Sequence, residues 1–306
     1  MLSGWATGIA QLLVILALAP GLQGLIQRVK AMMQGRHGPG VLQPYFTLAK
    51  QLRRQDVRPP AATFIFRAVP RLALAAVLAG SLAVPLLWSP APLGWGGDLI
   101  AVIGFLALER YITALAGLDQ GTPFGGLGSS RQVTIGALVE PALFALALPW
   151  LPVAGSTAWP ALIAASAAAP ATNAVRFFAL AAGLIVVLAE TGRLPVDNPD
   201  THLELTMIHE AIALEYAGPQ LALLSLAQML KQLLVIAVVL DLLLPWGAAG
   251  PLGPAVTLLK WGAAGVGLGV AESLSAKLRF FRLPAYLGAS AALSSAAAVI
   301  QVWGSR

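Results

Sequence analysis

The sequence predicts an all-α integral membrane protein of about eight transmembrane helices, which form a single membrane domain over residues 1–306. Hydrophobic residues make up 58% of the chain and charged residues only 10%, whereas about a quarter of a typical soluble domain is charged. Mean hydropathy is +0.79. Apolar runs of roughly twenty residues recur, which is the length needed to cross roughly 30 Å of hydrocarbon. Because these runs are continuous rather than alternating, they favour helices over a β-barrel.

The first predicted span covers residues 2–26. It lacks a basic n-region and its apolar run continues past Pro20, so we expect a spanning helix and not a cleaved signal peptide. The later spans are separated in part by a glycine-rich link, 119–130, and by an uncharged, Pro/Ala-rich connection, 152–172, expected to be partly helical. The other predicted spans cover residues 70–88, 98–118, 132–151, 173–190, 220–244, 254–274 and 283–303.

A long hydrophilic segment, 27–69, separates the first two spans. Its GRHGPG motif, residues 35–40, predicts a turn because of its glycine and proline content. The following VLQPYFTLAKQLRRQ has apolar side chains at helical spacing and a basic end, so it predicts an amphipathic helix lying on the membrane surface. The apolar positions of that helix are Leu42, Tyr45, Phe46, Ala49 and Leu52.

The basic residues predict the orientation of the chain. Fourteen of the nineteen Lys and Arg residues fall in four connections between predicted spans. The positive-inside rule places these connections on the cytoplasmic side of a bacterial or archaeal cytoplasmic membrane and both termini on the opposite side. The net charge of +6 is explained in this way and does not indicate a nucleic-acid partner. The four connections are residues 27–71, 119–131, 190–219 and 275–282.

Several classes of site are excluded by composition. The chain contains no cysteine, so it cannot hold thiolate-ligated iron–sulfur clusters, disulfides or cysteine-containing zinc sites. The glycine-rich link has no G-x-G-x-x-G and no Lys-Ser/Thr after its glycines, so neither a dinucleotide loop nor a phosphate loop is indicated.

Acidic residues are concentrated in one segment, 189–218, which lies between two apolar runs. It holds six of the thirteen carboxylates and two of the three histidines. Asn198-Pro199 resembles a helix start, with Asn as the N-cap and Pro at the first helical position. If this helix continues to residue 216, its acids and its rings lie on opposite sides. The acidic side holds Asp200, Glu204 and Glu215, and the other side holds His202, His209 and Tyr216.

The two histidines of this segment do not match a zinc protease. His209-Glu210 is followed by Ala-Ile-Ala and not by a second histidine at the required offset. We interpret His202 and His209 as hydrogen-bonding groups, with a two-histidine metal site as the alternative.

Ionisable residues also occur inside or near the ends of the predicted spans. Each costs roughly 2.5–3.5 kcal/mol at the centre of a membrane helix, so each is expected to face protein or water. For Arg176, Asp241 and Glu272, near span ends, we expect interfacial ion pairs. Glu140 and Lys231 lie deeper and are expected to face a functional cavity. The whole set is Glu109, Arg110, Glu140, Arg176, Lys231, Asp241, Lys260 and Glu272.

A set of short motifs spread along the chain resembles one known family. The acidic segment contains Ala189-Glu190-Thr191-Gly192-Arg193, Pro195-Val196-Asp197, Pro199-Asp200, Glu204-Leu205 and Glu215-Tyr216-Ala217-Gly218. Elsewhere the chain contains Arg36-His37-Gly38-Pro39, Leu42-Gln43-Pro44 and Glu140. Together these motifs resemble the signature of complex I subunit 1, the membrane subunit that forms the heel and quinone chamber of respiratory NADH dehydrogenase. The layout of eight spans is similar to that of the family.

Two departures point to one branch of the family. The turn at Gly38-Pro39-Gly40 is shorter than the family's, and the stretch between Glu204 and Glu215 is longer than in quinone-reducing members. The run Thr201-His202-Leu203-Glu204-Leu205-Thr206-Met207-Ile208-His209-Glu210 is similar to the hydrogenase branch, the membrane subunits of formate hydrogenlyase and hydrogenase-4. Because the altered loops shape the family's quinone site, they argue against quinone as a ligand.

The resemblance implies a non-redox membrane subunit of a complex I-like oxidoreductase, here a membrane-bound [NiFe] hydrogenase. Segments 27–69 and 190–219 are expected to dock the cytoplasmic electron-transfer arm. The implied partners are hydrogenase-like large and small subunits and a ferredoxin-like subunit, which hold the [NiFe] and iron–sulfur centres, together with antiporter-like membrane subunits. The alternatives are a quinone-binding subunit of an NADH:quinone dehydrogenase and a stand-alone ion-coupled transporter.

The resemblance and the intramembrane charges together suggest two sets of site residues. Residues expected to couple redox events to proton or Na⁺ movement are Glu140, Glu190, Arg193, Asp197, Asp200, Glu204, Glu215 and Lys231, with Arg193 as a movable counter-charge beside its neighbouring acids. Residues expected to dock the arm or to form a quinone-chamber-like surface are Arg36, His37, Gly38, Pro39, Gln43, His202, His209 and Tyr216.

Overall fold

The computed structural model describes residues 2–87, 97–168, 173–197, 208–245 and 252–304, with side chains from Ala6 onward. Within these ranges the chain is helical and contains no strand. The helices are α1 (Leu2–Met33), α2 (Gln43–Leu52), α3 (Phe64–Ala83), α4 (Leu99–Asp119), α5 (Pro123–Ala145), α6 (Leu151–Ala154), α7 (Trp159–Ala168), α8 (Asn173–Glu190), α9 (His209–Ala213), α10 (Gly218–Leu243), α11 (Gly253–Leu274) and α12 (Leu283–Gly304), with a 3-10 turn at Phe280–Arg282.

Seven of the described helices are long and apolar enough to cross a membrane: α1, α3, α4, α8, α10, α11 and α12. The predicted span 132–151 corresponds to α5, which differs from the prediction at both ends. It begins at Pro123, inside the predicted glycine-rich link, because the Thr122 side chain accepts a hydrogen bond from the amide of Gly125 (3.2 Å) and Pro123 occupies the first turn. The connection 152–172 is partly helical, as predicted.

Helix α10 forms the centre of the bundle. Its residues 230–239 are buried without interruption, which is typical of a helix that is surrounded by other helices. Helices α1 and α11 pack closely because two glycines of α11 remove the side chains between them. A Cβ on Gly265 would lie 2.7 Å from Leu22, and one on Gly269 would lie 2.9 Å from Val29.

Four connections meet at one end of the bundle, which we call the basic end: residues 27–71, 119–131, 190–219 and 275–282. Asp119, the last residue of α4, accepts hydrogen bonds from the amides of Thr63 (2.9 Å) and Phe66 (3.0 Å) at the start of α3. The Tyr216 ring stacks on Phe66 at 4.0 Å and its hydroxyl donates to the Phe66 carbonyl (3.0 Å). The connections are therefore packed against one another within the fold.

The amphipathic helix predicted in segment 27–69 is α2. The Tyr45 hydroxyl donates to the carbonyl of Ala17 and so attaches α2 to α1. The other apolar positions of the predicted face, Leu42, Phe46, Ala49 and Leu52, are exposed. One side of α2 is thus left available to the membrane or to another protein.

The predicted continuous helix over 199–216 is wrong where the structure describes it. The backbone bends at Ile208, whose ψ of −76° departs from helical geometry, and α9 ends at Ala213. Residues Leu214 to Ala217 form a turn that lets Tyr216 reach Phe66. Asp200, His202 and Glu204 lie outside the described residues, so the expected arrangement of acids and rings on this helix stays a prediction.

Candidate functional site

Five ionisable side chains meet inside the bundle and form one connected set, which we call the charge chain: Glu140, Arg110, Glu190, Lys231 and Glu109. They come from α5, α4, α8, α10 and α4. Acids and bases alternate along the chain, and each neighbouring pair is within ion-pair distance. Because removing a charge from water is costly, buried charges of this kind persist only when they are paired.

Glu190 is the centre of the charge chain. Its two carboxylate oxygens lie 2.9 and 2.7 Å from Arg110 Nη2, and Oε1 is also 3.0 Å from Lys231 Nζ. One carboxylate therefore holds two cations from two different helices. Being the last residue of α8, it lies where that membrane helix gives way to the connection.

The two ends of the charge chain differ in exposure. At one end Lys231 Nζ donates to Glu109 Oε2 (2.8 Å), and both groups are buried. At the other end Arg110 Nη1 donates to Glu140 Oε1 (2.6 Å), and the Glu140 side chain is 38% exposed on the outer face of α5. The charge chain thus connects the interior of the bundle with its lateral surface.

A glycine on α5 makes the contact between Arg110 and Glu140 possible. The Arg110 side chain crosses α5 at Gly136, where a Cβ would lie 2.6 Å from Arg110 Cδ and Nη1. Any larger residue at this position would occupy the space of the guanidinium. Glu140 stands four residues later on the same helix, so it faces the side chain that has passed Gly136.

A second cluster surrounds Arg193 in the connection after α8. Its guanidinium donates to Glu272 on α11, to Gln23 on α1 and to Gln232 on α10, the last at 2.7 Å. Lys30 of α1 also lies 3.5 Å from Glu272. Since Gln232 follows Lys231, this Arg193 cluster lies directly beside the charge chain.

A polar cavity of about 220 Å³ lies between the charge chain and the Arg193 cluster. The backbone of Gly192, at a φ of +58°, lies against the His209 ring and leaves no room for a Cβ, which would be 2.4 Å from that ring. The cavity is lined by Gln23, Glu190, Thr191, Gly192, Arg193, Asp197, His209, Glu210, Ser225, Gln228, Met229, Lys231 and Gln232.

His209 is held in its neutral form beside this cavity. Burial lowers the pKa of the imidazole below its ordinary value, and the positive charge of Lys231 lowers it further. The carboxylates of Asp197, Glu109 and Glu190 act in the opposite direction and do not overcome these effects. A neutral imidazole carries one N–H donor and one nitrogen acceptor.

The structure brings together only some of the residues that the sequence suggested for coupling. Glu140, Glu190 and Lys231 belong to the charge chain, while Arg193 pairs with Glu272 instead of its neighbouring acids. Asp197 accepts from the amide of Ile208 (3.1 Å) and lies 3.5 Å from Lys277. Glu215 is half-buried and makes no described contact with the charge chain.

The residues suggested for docking divide into two groups. Arg36, His37, Pro39 and Gln43 are exposed at the basic end, and Gly38 is half-buried and accepts from Arg28 (3.0 Å). His209 and Tyr216 point into the fold, and burial raises the pKa of the Tyr216 hydroxyl. Segment 190–219 is therefore not simply a surface loop, since residues 192–197 are all buried.

Several members of the site were not assigned to it from the sequence: Glu109, Arg110, Glu272, Lys30, Gln23 and Gln232. The first three carry a signal that was visible, because they are charges within apolar spans. Glu272, expected in an interfacial ion pair, is paired, but deep in the Arg193 cluster. The glutamines carry no such signal. Among the described residues no group of three or more His, Asp or Glu side chains is arranged to hold a metal ion.

The fold and the site together define a class: a multi-pass membrane protein whose apolar helices enclose a chain of paired charges. The family model described as NADH dehydrogenase matches residues 7–302. The chain therefore belongs to the NADH dehydrogenase family, of the complex I subunit 1 type, as its motifs predict.

Curated relatives lie in two groups within that family. Hydrogenase-4 component C of Escherichia coli (strain K12) is 36% identical over 279 residues, which cover 89% of this chain and 88% of the relative. Formate hydrogenlyase subunit 4 of the same organism is 34% identical over 238 residues, covering 78% and 76%. An NADH-quinone oxidoreductase subunit of Anaplasma phagocytophilum (strain HZ) is 28% identical over 240 residues, covering 71% and 69%.

The same fold is found in a solved structure. A chain of the membrane-bound sulfane sulfur reductase, an archaeal respiratory membrane complex, superposes with a TM-score of 0.85 over 98% of this chain and 99% of the other. The two sequences are 18% identical. This similarity concerns the arrangement of the helices alone.

Proposed function

We propose that this chain is the non-redox membrane subunit of a membrane-bound [NiFe] hydrogenase of the hydrogenase-4 or formate hydrogenlyase type. The identities of 36% and 34% to subunits with those names support this assignment over an NADH-quinone enzyme. The observation that carries the function is the charge chain, which runs from a polar cavity to the half-exposed Glu140. Such a path suits a subunit that couples redox events to proton or Na⁺ movement.

The electron-transfer arm docks at the basic end of the bundle, which faces the cytoplasm by the positive-inside rule. The exposed residues Arg36, His37, Pro39 and Gln43 and the exposed apolar side of α2 support segment 27–69 as the docking surface. An apolar centre with charged surroundings is typical of a protein interface. The arm holds the large, small and ferredoxin-like subunits with their [NiFe] and iron–sulfur centres.

Coupling begins at the cavity, where Glu190 is the acid in contact with both cations. Added negative charge on the docked arm favours protonation of a carboxylate that faces it. Protonation of Glu190 weakens its attraction for Arg110 and Lys231, so Arg110 binds Glu140 more tightly and Lys231 binds Glu109. The change in charge thereby reaches the lateral surface at Glu140, where antiporter-like subunits receive it.

Quinone does not fit the cavity that the described residues form. At about 220 Å³ it is smaller than the roughly 300–1,000 Å³ typical of small-molecule sites, which are mainly apolar. Its walls instead contain Glu190, Arg193, Asp197 and Lys231. We therefore propose that no quinone binds to this cavity and that the redox centres belong to the partner subunits.

The proposal is tested by Glu140→Gln in the assembled complex, because this change keeps the shape of the side chain and removes its charge. Hydrogen evolution and proton uptake are measured in inverted membrane vesicles. We expect the ratio of protons moved to hydrogen formed to fall by about tenfold, since the outward end of the charge chain can no longer respond. Asp241→Asn, which neutralises another intramembrane acid outside the charge chain, is the matched control. Equal ratios in both variants and in the unmodified complex would refute the proposal.

The second candidate function is a quinone-binding subunit of an NADH:quinone dehydrogenase. The family and the relative at 28% identity favour it. A quinone-site inhibitor separates the two functions. Inhibition of electron transfer in the purified complex supports the second function, whereas unchanged hydrogen evolution supports the first.

A further inference from the structure

A second cavity at the basic end is separate from the polar cavity of the charge chain. It has a volume of about 560 Å³ and lies where the connection between α11 and α12 passes α5 and the segment after α8. Leu278 joins these segments through a hydrogen bond from its amide to the carbonyl of Pro195 (2.9 Å). The cavity is lined by Arg131, Val196, Ile208, Lys277, Leu278, Arg279, Phe280 and Phe281.

Three of the residues that line this cavity are cations from two different elements: Arg131 of α5, and Lys277 and Arg279 of the connection. The Arg131 guanidinium lies 5.8 Å from the centre of the Phe280 ring, which holds it towards the cavity. The adjacent carboxylate is Asp197, 3.5 Å from Lys277. Three cations beside one carboxylate leave a surplus of positive charge, which favours an anionic ligand.

The rest of the lining is apolar and reaches the level of the membrane. Val196 and Ile208 are buried side chains at the base of the cavity. Phe281 is 93% exposed, yet it stands at the start of a segment, Phe280–Gly304, that is apolar enough to cross the membrane. A fully exposed phenylalanine is unfavourable in water and favourable in the outer part of a bilayer.

We propose that this cavity binds an anionic phospholipid. Its phosphate is held by Arg131, Lys277 and Arg279, because guanidinium and ammonium groups bind phosphate oxygens through charge-assisted hydrogen bonds. The glycerol backbone and the first acyl carbons lie on Val196, Ile208 and Leu278, with the Phe281 ring beside the lipid. Basic cavities between membrane helices are suited to acidic headgroups.

The charge chain and its coupling role do not enter this inference. It concerns the outer side of the segment that carries Asp197 and Arg193, and the bound lipid would join that segment to α5 and α12. A free phosphate ion or an acidic protein segment offers the same anionic chemistry, and the experiment distinguishes both from a lipid.

The test uses the purified complex after detergent washing, with Arg279→Gln and Arg131→Gln/Arg279→Gln as variants. Arg282→Gln is the matched control, since Arg282 is exposed in the same connection but does not line the cavity. Phosphatidylglycerol, phosphatidylcholine and inorganic phosphate are titrated separately, and the thermal stability of the complex and the amount of retained lipid are measured. Arg279→Gln alone is decisive if the double variant does not assemble.

We expect phosphatidylglycerol to stabilise the unmodified complex and the Arg282→Gln complex equally. The apparent affinity should fall roughly fivefold for Arg279→Gln and roughly 25-fold for the double variant, at about 1 kcal/mol for each cation. Equal protection by phosphatidylcholine or by inorganic phosphate, or unchanged lipid retention in Arg279→Gln, would overturn the lipid assignment. Loss of a partner subunit from Arg279→Gln without loss of lipid would show a protein interface instead.

Discussion

Helix α10 carries two buried ion pairs that differ in how they are connected. Lys231 lies 2.8 Å from Glu109 and 3.0 Å from Glu190, and through Glu190 it is joined to Arg110 and Glu140. About 15 Å further along the same helix, Asp241 has one cationic partner, Lys260, at 3.4 Å. The second oxygen of Asp241 accepts no hydrogen bond from the residues that the structure describes.

The difference shows that burial alone does not identify a functional charge. Both pairs stand in an apolar helix, and both cost free energy to remove from water. Only the pair at Lys231 adjoins a polar cavity and a series of alternating acids and bases. A change at one member of that series alters the next, whereas a change at Asp241 ends at Lys260. We therefore expect coupling to depend on the first pair and only stability to depend on the second.

The largest expected effect follows from Glu190→Gln. This substitution leaves Arg110 and Lys231 without their shared carboxylate, and breaking a buried pair costs about 3–5 kcal/mol. We expect a lower melting temperature of the complex and a fall in proton movement of at least about tenfold. Both are measured on the purified complex reconstituted into vesicles.

A charge-compensating variant separates the two effects of that substitution. Glu190→Gln/Lys231→Met removes one acid and one base, so the melting temperature should recover in part while proton movement does not. Recovery of proton movement together with stability would show that Glu190 has only a structural role.

The next effect in size is that of Gly136→Ala. The added methyl group would occupy the position of Arg110 Cδ and Nη1, 2.6 Å away, so the guanidinium must move from Glu140. We expect proton movement to fall several-fold, with overpacking that costs about 1–3 kcal/mol. Gly262→Ala on α11 is the control, because nothing lies within 4 Å of its Cβ. If both alanines leave the ratio of protons to hydrogen unchanged, the contact between Arg110 and Glu140 is not part of the path.

The pair at Asp241 should respond in the opposite manner. Lys260→Met leaves a buried carboxylate without a cation and should cost about 3 kcal/mol, whereas Asp241→Asn/Lys260→Met should recover most of this loss. Hydrogen evolution per assembled complex should not change in either variant. A double-mutant cycle on melting temperature measures the coupling, and a loss of proton movement in the double variant would remove the distinction between the two pairs.

The smallest effect concerns His209 and the pH. Its pKa in the folded protein is lowered from 6.5 by burial and by Lys231. The unfolded chain therefore binds the proton more readily, so stability is fully present above pH 6.5 and is lost as the pH falls towards the lowered pKa. His209→Gln should remove this part of the pH dependence, a shift of a few degrees in melting temperature between about pH 5 and 6.5. The reverse slope would show that His209 is protonated in the fold.

The membrane spans could be predicted from the sequence because apolar length is a local property. The exception was α5, whose first turns contain Gly125, Gly126 and Gly128 and were interpreted as a link. Its start depends on Thr122 and Pro123, and its glycines are needed for contact with neighbouring elements. Gly128, for example, lies against the carbonyl of Ile208, 2.9 Å from where its Cβ would be. Tertiary packing of this kind leaves no periodic pattern in the sequence.

The candidate site was predicted only in part for a related reason. The charges at Glu140, Lys231 and Glu190 were recognisable because apolar spans rarely hold them. Their partners could not be assigned, since Arg193 contacts Glu272 and Gln23, far away in sequence, instead of the acids beside it. The predicted helix 199–216 depended on regular geometry through Ile208, where the backbone turns so that its amide reaches Asp197.

The hydrogen bonds of Arg193 have a mechanical consequence. A single guanidinium joins α1, α10 and α11 to the connection after α8, and α1 and α11 also touch through Gly265 and Gly269. Helices α1 and α11 therefore move as one rigid body, pinned to α10 at one point. Any tilt of that body relative to α10 must break a bond to Gln23, Gln232 or Glu272, and the pin lies one residue along α10 from Lys231.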